Sequence, residues 1–204
     1  ILLVTVLICA PLIAWRYDLF PALLTLLSLY CLIENRNIIS GLSLGIAVST
    51  KLYPVVLVPV FALYLIVDKK IDSLKRFILG GGISIAALVP FFILSPNWLK
   101  LFLSYHQQRG LEIESLYSGI ILLFQMFGIG TANKIYNFTA FHISSPYATI
   151  ILKFLPYFTV FVFAMVITSC FFHFKKISKK SGNIPNDSLI VYTTIITITF
   201  IALN

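Results

Sequence analysis

Residues 149–172 read TIILKFLPYFTVFVFAMVITSCFF, an apolar run of 24 residues with one charged side chain, Lys153. A helix needs about 20 such residues to cross the hydrocarbon core of a bilayer. The whole chain has the same character, because 59% of its 204 residues are hydrophobic and only 11% are charged. So few charges cannot cover the surface of a soluble fold of this size. The sequence therefore predicts an all-α, polytopic transmembrane helical bundle.

Seven further apolar segments accompany this run, at Ile1–Trp15, Leu19–Ile33, Ile38–Thr50, Leu52–Val67, Phe77–Leu94, Leu116–Gly130 and Ser188–Leu203. Several are shorter than an ideal span and carry Gly or Pro, which is typical of helices that line a cavity. We expect about seven membrane-spanning segments in one domain over residues 1–204, with a polar outer loop at 95–115. The first residue is not Met, so we expect an internal fragment truncated at both ends.

The positive charge indicates the orientation. The net charge is +8, and basic residues cluster in two short loops, at 68–76 and 173–180. Such loops are typically cytoplasmic in membrane proteins, so we interpret the charge as an orientation signal that also contacts anionic lipid, with no nucleic-acid partner. If both loops are cytoplasmic, Leu116–Gly130 cannot cross. We expect it to form a re-entrant or interfacial helix on the outer side.

Three polar stretches then fall on the outer side: Arg16-Tyr-Asp18, Lys51-Leu-Tyr-Pro54 and Tyr105-His-Gln-Gln-Arg-Gly-Leu-Glu-Ile-Glu-Ser115. Together they carry carboxylates and cations, and we expect them to converge on one outward-facing cavity.

Each of these stretches also has a purely structural interpretation. A charge near hydrocarbon is costly and often functional, but Lys51 could instead snorkel to the headgroups. Asp18 precedes a predicted helix and could cap it, paired with Arg16. The stretch from His106 to Glu114 could be a solvated loop. By contrast, Gly80-Gly-Gly82 lies inside an apolar run without a following lysine, which favours close helix packing over phosphate binding.

The order of these motifs resembles the integral-membrane GT-C glycosyltransferases, especially glycosyltransferase family 87, the polyprenol-phosphate-mannose-dependent type. The resemblance is carried by Arg16-Tyr-Asp-Leu-Phe-Pro-Ala-Leu23, by Gly41-Leu-Ser-Leu-Gly-Ile-Ala47 leading into Lys51-Leu-Tyr-Pro54, and by Tyr105–Ser115. It implies an inverting enzyme that transfers a sugar, mannose by family, from a polyprenyl phosphate to a lipid or glycan acceptor on the extracytoplasmic face. It implies no nucleotide, cofactor or obligatory metal.

The resemblance also assigns roles to residues. Arg16, Lys51, Tyr53, His106 and Arg109 would bind the substrates, with the cations on the donor phosphate. The carboxylates Asp18, Glu112 and Glu114 are candidates for sugar binding or base catalysis. In the family the catalytic acid residue lies in the first outer loop, so we expect the main base upstream of this sequence.

Two other functions stay open at this point. A transporter or lipid flippase would place ionisable groups near the bilayer midplane and often shows internal repeats; a non-catalytic membrane subunit would need no outer cavity. The charges here lie at the outer edge and no repeat is evident, which favours the enzyme. The Ile, Asn and Lys richness favours a bacterial source, and hence a plasma-membrane enzyme of cell-envelope biosynthesis.

Overall fold

The computed structural model describes residues 18–98, 100–101, 104–105, 110–137 and 140–203. The α-helices there are α1 (Leu19–Ile33), α2 (Asn37–Thr50), α3 (Val58–Val67), α4 (Ile71–Ala86), α5 (Val89–Leu94), α6 (Leu116–Met126), α7 (Pro146–Ser181) and α8 (Asn186–Leu203). A 3₁₀ turn covers Tyr53–Leu57, and the strands are β1 (Leu111–Glu112), β2 (Asn133–Asn137) and β3 (Ala140–Ser144). The predicted fold class is confirmed, since the chain is a mostly helical membrane protein. The small sheet was not predicted.

The lengths of the helices separate two groups. Three described stretches are long and apolar enough to cross a membrane, at Ile71–Leu94, Pro146–Ser181 and Asn186–Leu203. Three other predicted spans are the shorter apolar helices Leu19–Ile33, Asn37–Thr50 and Tyr53–Val67, and the predicted span at 1–15 lies outside the described residues. Helix α6 has 11 residues, about 16 Å at 1.5 Å per residue. This is roughly half the thickness of a hydrocarbon core and suits a helix that does not cross.

The described chain forms two compact units. The first contains residues 18–90 and 167–197. Its apolar core is built from fully buried side chains of α1 to α3, α7 and α8, among them Leu32, Leu44, Phe61, Phe174 and Leu189.

Small residues set the packing of α2 against α4 in this unit. A Cβ atom added to Gly80 would lie 2.1 Å from the carbonyl oxygen of Ile38, and one added to Gly41 would lie 1.9 Å from that of Phe77. The two backbones are therefore in direct contact, and the Ser84 hydroxyl donates across the same interface to the Leu42 carbonyl at 2.8 Å. The predicted packing role of the Gly80-Gly-Gly82 run is thus confirmed at Gly80, whereas a Cβ on Gly82 would have nothing within 4 Å.

The two predicted basic loops meet at one end of the first unit, and both are mostly helical: residues 71–76 begin α4 and residues 173–180 form the last turns of α7. The Ile184 N–H, in the turn between α7 and α8, donates to Asp68 Oδ1 at 3.0 Å, and the Ser178 hydroxyl donates to the Val67 carbonyl at 3.3 Å. The Asp68 side chain is fully buried, and Lys70 Nζ lies 2.8 Å from its second oxygen. Loops in contact lie on one side of the bilayer, so the chain between them crosses an even number of times. One crossing by α4–α5 and one by α7 suffice, which leaves α6 with no need to cross.

The second unit contains residues 91–166 and 198–203 of the described chain. Its sheet has the order β1-β3-β2, and both pairings are antiparallel. A small apolar core of Leu111, Ile121, Ile143 and Ala148 joins the sheet to α6 and to the start of α7. The unit therefore holds the end of the polar loop, from Gly110 onwards, on a fixed scaffold.

Candidate functional site

An antiparallel helical hairpin brings two of the predicted site residues together. Helices α1 and α2 are joined by a short turn and fixed in register by Ser28 and Ser40, whose hydroxyl groups each donate to the other's carbonyl oxygen at 2.8 Å. Both serines are fully buried, so these bonds hold the hairpin in one alignment. With this alignment the first residue before α1, Asp18, faces the first residue after α2, Lys51.

Asp18 and Lys51 form an ion pair between Asp18 Oδ1 and Lys51 Nζ. The two side chains are 49% and 44% exposed, so solvent or a ligand can reach both charges. The pair corrects one expectation: Asp18 occupies the N-cap position of α1, but its side chain makes no capping hydrogen bond. Its carboxylate is directed to the lysine instead.

The backbone presents Lys51 at this position because α2 ends there. The Lys51 N–H donates to the Ala47 carbonyl at 3.0 Å, and the residue itself is extended, with φ of −148° and ψ of 142°. Pro54 then lies in the 3₁₀ turn and is buried. A proline fixes φ and lacks an N–H, so the Lys51–Pro54 element ends one helix and directs the chain into α3.

Tyr53 lies in the same turn and is half-buried. A phenol is a hydrogen-bond donor at neutral pH. Asp18, Lys51 and Tyr53 together offer an anion, a cation and a neutral donor at one end of the first unit.

The second unit fixes the other carboxylates. Glu112 lies in β1, and its carbonyl oxygen accepts hydrogen bonds from the Ser115 N–H at 3.0 Å and from the Ser118 hydroxyl at 2.5 Å. Ser115 also caps α6, since its side chain accepts from the Ser118 N–H at 3.2 Å. Glu112 is half-buried, whereas Glu114 is exposed in the turn that follows. The two carboxylates are therefore in different environments.

His142 was not among the predicted site residues, and it lies opposite Glu112 in the sheet. It is 3% exposed, and its Nε2 is 3.1 Å from the Asn137 carbonyl oxygen. A Cβ atom on Gly110 would come within 3.3 Å of the His142 Cβ, so the backbone of the polar loop packs directly on this histidine. Apolar and polar residues alternate over 136–140 and again over 141–144, a strand signal that could have predicted the hairpin.

The structure thus brings together Asp18, Lys51 and Tyr53, and it places Glu112 and Glu114 in the second unit. Arg16, His106 and Arg109 lie outside the described residues. Convergence of all three polar stretches on one cavity stays a prediction. Among the described residues, no group of three or more His, Cys, Asp or Glu side chains could hold a metal ion.

The exposed Asp18–Lys51 pair offers a cation and a carboxylate to a ligand at one place. Comparisons with curated proteins and with solved structures give no significant match. The model of glycosyltransferase family 87 matches residues 2–173, a range that contains every predicted site residue and ends before the last turns of α7 and before α8. The chain belongs to glycosyltransferase family 87.

Proposed function

We propose that this glycosyltransferase moves a sugar, mannose in the simplest case, from a polyprenyl phosphate to a hydroxyl group of a lipid or glycan acceptor on the extracytoplasmic face. The observation that carries the proposal is the accessible Asp18–Lys51 pair. It provides a cation for the donor phosphate and a carboxylate for a sugar hydroxyl at one place.

The position of the pair supports the extracytoplasmic face. Helix α3 leads from the turn after Lys51 to the loop at Asp68, so the pair and the basic loops lie at opposite ends of the first unit. Basic loops favour the cytoplasmic side, so the ion pair belongs to the outer side. Polyprenyl-phosphate donors suit this face because they reach it through the bilayer.

The reaction explains why a lysine is useful there. A carboxylate takes the proton of the acceptor hydroxyl, whose oxygen forms a bond to the anomeric carbon. The bond from that carbon to the phosphate oxygen breaks, and the polyprenyl phosphate leaves with the electron pair. The donor is a phosphodiester with one negative charge, and the product is a monoester with more. Because this charge develops in the transition state, a cation at the phosphate lowers the barrier.

The test is Lys51→Ala in the full-length enzyme, assayed in membranes with radiolabelled polyprenyl-phosphate-mannose. We expect transfer to fall by about 10²-fold or more, the magnitude seen when one group that stabilises transition-state charge is removed. Lys75→Ala is the matched control, because Lys75 is an exposed lysine that pairs with Asp72 at 3.3 Å. Near-normal transfer by Lys51→Ala, or an equal loss with Lys75→Ala, would contradict the phosphate role.

A further inference from the structure

The Asp18–Lys51 ion pair has a consequence for how the donor binds. In the structure the carboxylate and the ammonium group neutralise each other. A lysine has a single charge, and an anionic phosphate needs the same charge. A phosphate approaching Lys51 therefore meets a competing anion at the same atom.

We propose that the donor phosphate displaces Asp18 from Lys51, so that donor binding releases the carboxylate for a sugar hydroxyl. This exchange rests on the proposed function. In this exchange Asp18 weakens phosphate binding by competing for Lys51. The Asp18 carboxylate becomes available beside the phosphate only when the donor is bound.

Two observations support an exchange of partners over a permanent pair. Both side chains are about half exposed, and an exposed ion pair contributes only about 0.2–1 kcal/mol, so a ligand can replace either partner at small cost. The Asp18 carboxylate makes no capping bond to α1, so its release leaves the helix end as it was.

Substitution of Asp18 should have the opposite effect to substitution of a residue that binds the phosphate. Asp18→Asn should tighten the binding of a phosphate, because it removes both the competition for Lys51 and the repulsion between two anions. From the strength of an exposed pair, the gain in affinity should be roughly two- to five-fold. If Asp18 instead holds Lys51 in place for the phosphate, the same change should weaken binding.

The probe is farnesyl phosphate, with farnesol as the matched uncharged ligand, titrated against the full-length enzyme in detergent. We expect Asp18→Asn to lower the Kd for farnesyl phosphate and to leave that for farnesol unchanged. Asp72→Asn is the control variant, since it removes the same charge from another exposed Lys–Asp pair at the other end of the first unit. In a Lys51→Ala background, Asp18→Asn should tighten binding less, because only the repulsion between the two anions is then removed, and an undiminished gain would contradict the exchange.

The outcomes separate this inference from the proposed function. Equal or weaker binding of farnesyl phosphate by Asp18→Asn, or the same gain with Asp72→Asn, would overturn the exchange even if Lys51→Ala abolishes binding. Unchanged binding by Lys51→Ala would instead refute the phosphate role of Lys51, and the exchange with it.

Discussion

Substituting Gly80 by alanine tests whether the close packing of α2 against α4 outweighs the higher helix propensity of alanine. The added Cβ would lie 2.1 Å from the carbonyl oxygen of Ile38 and 2.8 Å from the backbone nitrogen of Leu42. An ordinary contact of this kind needs about 3.4 Å, the lower limit of carbon–carbon van der Waals distances. Helices α2 and α4 must therefore move apart by about 1 Å, and the Ser84 bond to the Leu42 carbonyl, now 2.8 Å long, is lost or stretched.

The magnitude follows from two opposed terms. Overpacking of a tight interface costs about 1–3 kcal/mol, and a lost buried hydrogen bond costs about 1 kcal/mol more. Alanine regains about 1 kcal/mol of helix propensity over glycine. We expect Gly80→Ala to lower the free energy of unfolding by about 1–3 kcal/mol. Gly82 lies two residues on in the same helix with nothing within 4 Å of an added Cβ, so Gly82→Ala should be neutral or slightly stabilising.

Thermal unfolding of the full-length protein in detergent, followed by circular dichroism, measures the difference between the two variants. A Tm for Gly80→Ala that is several degrees below that of Gly82→Ala agrees with the packing argument. Equal Tm values for the two variants would show that α2 and α4 are not in backbone contact, and the geometry of the first unit would then be wrong.

Three further predictions concern other parts of the molecule. Asp68→Asn should lower the free energy of unfolding by about 1–3 kcal/mol, because it breaks an ion pair in which the carboxylate is buried and the lysine is partly solvated. Chemical denaturation measures this loss of stability. A loss no larger than that of Asp72→Asn would contradict the prediction. Burial alone would lower the pKa of Lys70, but the hydrogen bond and charge of Asp68, with a contribution from Tyr64, outweigh it and raise this pKa above the ordinary 10.5. The stability that depends on the charge of Lys70 should thus be fully present at neutral pH and be lost as the pH rises through the raised pKa. A pH series of Tm values on the wild type and Lys70→Gln, from neutral to alkaline pH, checks the sign, and equal alkaline loss in both would refute it. Arg109→Lys should raise the donor KM by about tenfold, because the guanidinium's two-pronged geometry is lost; steady-state kinetics with unchanged KM would count against a phosphate contact there.

Much of the helical framework was predictable because lipid imposes a simple rule. Backbone polar groups in hydrocarbon must be bonded within the segment, so apolar runs become helices, and the run predicted at Leu19–Ile33 is a helix with those bounds. The packing role of Gly80 was predictable for a related reason, because only small residues allow helix backbones to approach closely in a membrane.

Pairings between distant side chains were not predictable from composition. A structural alternative for Asp18 was a cap of α1 paired with Arg16, but its carboxylate bonds to Lys51, in a register that Ser28 and Ser40 impose. Asp68 was counted with a basic loop, yet it is buried against Ile184, 116 residues later. The sheet was missed because its strands have five residues or fewer and interrupt otherwise helical sequence.

The shortness of the first hairpin has a consequence for the surrounding lipid. Helix α1 has 15 residues, about 22 Å at 1.5 Å per residue, whereas the hydrocarbon of a bilayer is about 30 Å thick. If the two basic loops lie at one surface, the other end of this hairpin lies several ångströms short of the opposite headgroups unless the bilayer thins around it. Under the proposed function, the recess at that end would let a lipid-linked donor reach the Asp18–Lys51 pair from the bilayer while water enters from the aqueous side.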